Sequence, residues 1–175
     1  MTPLPGSCYC GLVRYTIALS DPAAEAQART SLCHCRNCKK FTGGACGVTT
    51  RVPRSAFRFL LGSNQQQEQE QEQGNKQQGQ EHEQEQGGNQ KNDYIRVHES
   101  DNGSGTTLHR EFCGVCGSGI LEYGANAGDY VYVFYGTLED HARGQVEPRG
   151  EFFCRLRDPW MPEIEGLFQK QEIHE

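Results

Sequence analysis

Apolar residues recur at every second position in several short runs, the period of a strand with one buried face. In "LVRYTIAL" (12–19), Val13, Tyr15 and Ile17 share one face. "FRFLL" (57–61), "DYIRVHES" (93–100), "TLHREF" (107–112) and "YVYVFYG" (130–136) are the other strand-like runs. Gly-rich "DNGSG" and "GANAGD" read as turns between them. "DPAAEAQA" (21–28) suits a short helix or a loop equally well. The expectation is a mainly β, single-domain protein of short antiparallel strands, too small and turn-rich to rest on its apolar core alone.

One segment breaks the pattern. Residues 64–92, "NQQQEQEQEQGNKQQGQEHEQEQGGNQKN", contain no apolar residue. Such a segment has nothing to bury against its ordering entropy, so it reads as a disordered Gln/Glu-rich insertion. It falls between two strand candidates, where a polar excursion from a hairpin is tolerable. The domain is then expected to comprise residues 4–63 and 93–165, with 166–175 as a C-terminal tail. The insertion's six Glu and two Lys carry −4 of the chain's net −6, leaving the folded part close to neutral. Near-neutrality and the lack of an Arg- or Lys-rich tract argue against a nucleic-acid partner.

No apolar run approaches the roughly 20 residues that a bilayer-spanning helix requires. The opening "MTPLPGSCYCG" lacks the charged start and apolar centre of a signal peptide. The expected location is therefore cytoplasmic, where thiols stay reduced. That setting matters because the chain carries nine cysteines.

Seven of them cluster as "CYC" (Cys8, Cys10), "CHCRNC" (Cys33, Cys35, Cys38) and "FCGVC" (Cys113, Cys116). A Cys-x-Cys pair in extended chain puts both side chains on one side. A Cys-x-x-Cys turn converges two sulfurs on one ion, with Gly117 relieving the backbone after Cys116. Seven clustered thiols suggest zinc, as one site of four ligands and one of three. A four-ligand site is closed and structural, whereas a three-ligand site leaves a position open to water or substrate. Spacing alone does not fix which pairs share an ion.

"GSCYCGLVRY", "CHCRNCKKFTGG", "FCGVCGSGI" and "YGTLED" occur in that order, and "PRGEFFCRLRDPW" follows as a closing segment. Together they resemble the glutathione-dependent formaldehyde-activating enzymes, whose domain also occurs in centromere protein V. The resemblance implies a β-tent fold with two zinc ions. It implies Cys8, Cys10, Cys113 and Cys116 as structural zinc ligands, and Cys33, Cys35 and Cys38 as ligands of an open catalytic zinc. It further implies a carbon–sulfur lyase, acting on the adduct of glutathione (or a similar thiol) with formaldehyde or another small aldehyde. A zinc-stabilised binding module without catalysis is the alternative.

Several residues beside the ligands bear on that choice. Cys46, eight residues after Cys38, reads as a buried thiol; as a fourth ligand it would close the second site. Strand alternation points His34 away from the metal, which suggests an exposed histidine. Arg36, Lys39 and Lys40 are candidate contacts for the carboxylates of glutathione, with Arg51 and Arg54 weaker ones. Gly43 and Gly44 suit a tight turn. Cys154 reads as core, and Trp160 as a packed lid over the C-terminal segment.

Overall fold

The computed structural model describes residues 3–20, 22–60, 93–101, 103 and 105–172. The expected insertion, 64–92, lies outside the described residues. Along the chain run β1 (Leu4–Ser7), β2 (Arg14–Ile17), α1 (Pro22–Gln27), β3 (Arg29–Cys33), α2 (Arg36–Thr42), β4 (Gly47–Pro53) and β5 (Phe57–Leu60). There follow β6 (Ile95–Asp101), β7 (Thr107–Cys113), β8 (Gly119–Gly124), β9 (Tyr130–Phe134), α3 (Asp140–Arg143), β10 (Pro148–Phe152) and β11 (Phe168–Lys170). The protein is mainly β, and each of the five strand-like runs contains a strand.

The strands form two sheets, a small one of order β1-β2-β5 and a large one of order β11-β10-β3-β4-β9-β8-β7-β6. Pairing is antiparallel except at β10, which lies parallel to both β3 and β11. The inward faces of both sheets meet in one apolar core. Leu4, Tyr15, Ile17 and Phe57 come from the small sheet, and Val52, Ile120, Val131 and Val133 from the large one. Each such side chain contributes about 1.5–3 kcal/mol on burial. Tyr15 stacks on Phe57 with centroids 5.1 Å apart. Its hydroxyl hydrogen-bonds the Thr137 hydroxyl at 2.8 Å, which satisfies the one polar atom the ring takes inside.

Two expectations change here. The strands flanking the insertion do not make a hairpin: β5 is an edge of the small sheet and β6 an edge of the large one. The supposed tail also contributes structure. Phe168, Gln169 and Lys170 pair with Gly150, Glu151 and Phe152, covering an edge that would otherwise expose the backbone groups of β10.

Candidate metal centres

The first thiol cluster is built where the start of the chain meets the β7–β8 connection. Cys8 follows β1, and its carbonyl accepts from Gly11 N at 2.9 Å, turning the chain so that Cys10 doubles back. Cys113 ends β7, and Gly117 N donates to Cys113 O at 2.9 Å to close the knuckle. Gly117 sits at φ 78°, the left-handed backbone that glycine adopts without strain, as the spacing leads one to expect. Tyr9 N donates to Ser118 Oγ at 3.0 Å, joining the two loops.

The result is that Cys8, Cys10, Cys113 and Cys116 hold their four sulfurs within 4.8 Å of one another. Cys8 and Cys10 sulfurs lie 3.5 Å apart, and Cys10 and Cys113 sulfurs 3.8 Å. Tetrahedral zinc with bonds near ~2.3 Å needs sulfurs about 3.8 Å apart, so the donor set fits that ion. None of the nine cysteines is in a disulfide.

The second cluster stands at the junction of β3 and α2. Cys33 ends the strand, Cys35 caps the helix, and Cys38 lies in its first turn. The Cys35 sulfur accepts from Cys38 N at 3.4 Å, so the helix start and the cluster share one group. Gly43 ends the helix at φ 67°, with its N–H on the Lys39 carbonyl. Cys33, Cys35 and Cys38 also bring their sulfurs within 4.8 Å of one another.

The three thiols cannot all ionise unaided. The Cys33 thiol, and then Cys38, donate to Cys35 and pull it down to about 2. Cys33 is pushed up to about 12 by that same bond to Cys35. Cys38 is also raised, first through its contact with Cys33. Their close packing thus favours charge on Cys35 and disfavours it on Cys33 and Cys38. A dication would supply the charge that releases all three, which is the behaviour of a metal-binding donor set.

No fourth His, Cys, Asp or Glu joins this group among the described residues. Cys46 is half-buried outside it, and burial raises its thiol. Cys154 is buried, as expected of a core thiol.

His34 departs from expectation. It does turn away from the three sulfurs, but it is 0% exposed. The physical reason lies in the topology: β3 runs inside the large sheet between β10 and β4. With the sulfurs on the half-exposed side, the alternate residue enters the interior. There His34 Nε2 meets Glu151 Oε1 at 3.1 Å, while Arg157 Nη2 donates to Glu151 Oε2 at 2.8 Å. Glu151 is itself 0% exposed. Backbone pairing adds to this clamp, since His34 N donates to Phe152 O at 3.0 Å. Glu151→Ala would strand the buried His34 and the partly buried Arg157, and is expected to cost about 3 kcal/mol. Denaturant titration of the metal-loaded protein checks this, with Glu151→Gln closer to wild type.

Gly47 is the other support beneath the cluster. A Cβ there would stand 3.0 Å from the Cys38 Cβ, and Cys38 is fixed in the first turn of α2. Gly47→Ala is expected to lower metal affinity at the second cluster by about tenfold, as disturbed outer-shell contacts commonly do. Competition with a chromophoric chelator would read the two sites separately.

The candidate substrate cations divide. Lys39 is committed to Asp158 at 2.9 Å and donates to the Leu156 carbonyl at 2.8 Å. Arg51 and Arg54 lie over the rings of Tyr130 and Tyr123. Arg36 is exposed, and Lys40 is exposed at the rim of a cavity beside α2. Trp160 is not a packed lid. It is 73% exposed, held outward by a turn in which Met161 N donates to Asp158 O at 2.9 Å.

The sequence reading missed a pair that the fold brings toward the second cluster. Arg110 on β7 lies directly across from Glu122 on β8, and its Nε donates to Glu122 Oε2 at 2.9 Å. The Arg110 guanidinium also lies 4.7 Å above the Phe41 ring. Burial raises the Glu122 carboxyl, Arg110 opposes that shift, and the Cys35 charge adds to it. Only the β7–β8 register could have revealed this pair.

Fold and site together define a mainly β protein with two cysteine clusters able to hold metal ions. The chain belongs to the glutathione-dependent formaldehyde-activating enzyme family, whose model matches residues 3–156. Among solved structures, it is similar to a crystal structure of a Rhodobacter sphaeroides protein. That likeness has 17% identity and a TM-score of 0.47, covering 83% of this chain and 93% of the other. No curated protein matches the chain. Among the described residues, no helix is long and apolar enough to cross a membrane.

Proposed function

We propose that this chain is a zinc-dependent carbon–sulfur lyase that forms or breaks the adduct of glutathione with formaldehyde. In the forming direction, the thiol sulfur bonds to the aldehyde carbon and the thiol proton passes to the aldehyde oxygen, giving S-hydroxymethylglutathione. The observation that carries this reading is the uneven pair of clusters, four sulfurs in one and three in the other.

In this reading Cys8, Cys10, Cys113 and Cys116 hold a structural zinc, and Cys33, Cys35 and Cys38 hold the catalytic one. Zinc bound by three thiolates supplies a fourth position where a thiol is kept ionised or an aldehyde oxygen is polarised. A free thiol has a pKa of about 8.5, so this supply matters at neutral pH. The chain's own residues do the rest. The Cys38 N–H at the start of α2 holds the Cys35 sulfur, and the His34–Glu151–Arg157 clamp fixes the Cys33–Cys35 segment from beneath. The half-exposed placement of all three cysteines gives a small thiol access from solvent.

The test is metal analysis joined to an assay of S-hydroxymethylglutathione formation from glutathione and formaldehyde. Two ions per chain with acceleration over the uncatalysed addition support the reading. Two ions with no effect on the rate, in either direction, would leave a zinc-stabilised scaffold instead.

A further inference from the structure

A cavity of about 240 Å³ opens beside α2. On one wall stand Asn37, Lys40 and Phe41; the spacing i, i+3, i+4 gives them one helical face. On the other stand His98 and Asp101 of β6, and Arg110 of β7. His98 and Arg110 are paired in register, so the β6–β7 ladder sets that wall. Asn37 and Cys38 both lie in the first turn of α2, so one wall of the cavity belongs to the helix that carries the cluster. Arg110 makes a second link, through Glu122, whose carboxyl feels the Cys35 charge.

The lining carries both signs. Lys40 forms no ion pair among the described residues, in contrast to Lys39. Arg110 is only 5% exposed and is held in place by Glu122 and the face of Phe41. Asp101 supplies a carboxylate, oriented because its Oδ1 accepts from Gly103 N at 2.8 Å and Gly105 N at 3.1 Å. A simple carboxylate would gain from the two cations and be repelled by Asp101. A group bearing a carboxylate and an ammonium on one carbon uses all three, with charge-assisted hydrogen bonds of either sign. Glutathione has one end of each kind. Its glycine end carries a carboxylate alone, and its γ-glutamyl end carries a carboxylate and an ammonium.

We propose that this cavity binds the α-amino-acid terminus of the γ-glutamyl residue, and so selects γ-glutamyl thiols as substrates. Lys40 and Arg110 take the carboxylate, and Asp101 takes the ammonium. The inference rests on the proposed thiol-adduct chemistry and narrows its substrate class.

The experiment compares glutathione, γ-glutamylcysteine and cysteinylglycine with the zinc-loaded protein. Adduct kinetics and calorimetric binding are both measured, in wild type, Lys40→Ala and Asp101→Asn. Both substituted residues are surface-exposed, and thermal unfolding confirms that the variants fold. The expected result is that γ-glutamylcysteine matches glutathione, while cysteinylglycine binds about tenfold or more weakly, the scale of a lost hydrogen bond to a charged group. Either variant should raise KM for the γ-glutamyl thiols by a similar factor, with little change in kcat, and leave cysteinylglycine unaffected. Equal use of all three thiols by the wild type would overturn the subsite while leaving the adduct chemistry standing. So would variants that affect all three alike or none. A wild type that neither binds nor converts glutathione would overturn both.

Discussion

Cys113→Ala is expected to abolish the folded protein rather than merely weaken it. Cys113 is fully buried, ends β7 and brings its sulfur 3.8 Å from that of Cys10. The ion proposed there would join the start of the chain to the β7–β8 knuckle, two segments more than 100 residues apart in sequence. Structural zinc sites of this kind contribute about 10–16 kcal/mol of apparent binding free energy in small domains, comparable to the entire stability of a typical domain of about 5–15 kcal/mol. Circular dichroism and a denaturant titration would register loss of the cooperative transition. A folded Cys113→Ala protein holding two ions would contradict the structural role.

Cys35→Ala should behave in the opposite way. Cys35 is half-buried, caps a seven-residue helix and touches no part of the main core. Losing the cap costs about 1 kcal/mol. The fold should therefore survive, with one ion per chain in place of two and the adduct-forming rate at background. Metal stoichiometry and the hemithioacetal assay on the same sample provide the measurement. If both variants unfold together, both clusters are structural; if Cys35→Ala keeps full activity, the catalytic assignment fails.

The count of four sulfurs and three was legible in seven clustered cysteines, but spacing did not say which motifs share a cluster, because the first cluster joins segments more than 100 residues apart. Strands such as β2 and β9 were legible, since half-buried strands write their period into the chain. Other parts left no such trace. β10 reads "PRGEF", with a proline, a glycine and a buried glutamate, and it becomes a strand because β3 and β11 accept its backbone on either side. His34 and Glu151 are 117 residues apart, and only the parallel register of β3 with β10 brings them together. Alternation correctly turned His34 from the sulfurs, but it could not tell that β3 would be an interior strand. Arg110 and Glu122 look like ordinary polar strand residues until β7 and β8 are paired.

The most direct test of the uneven division of sulfur is X-ray absorption at the zinc edge, on protein saturated with zinc and kept free of small thiols. Four ligands at one ion and three at the other average to about 3.5 sulfurs per ion, with a lighter atom completing the second. Adding glutathione should raise that average to about four as its thiol occupies the open position. An average of about four before any thiol is added, or a single ion per chain at saturating zinc, would contradict the account.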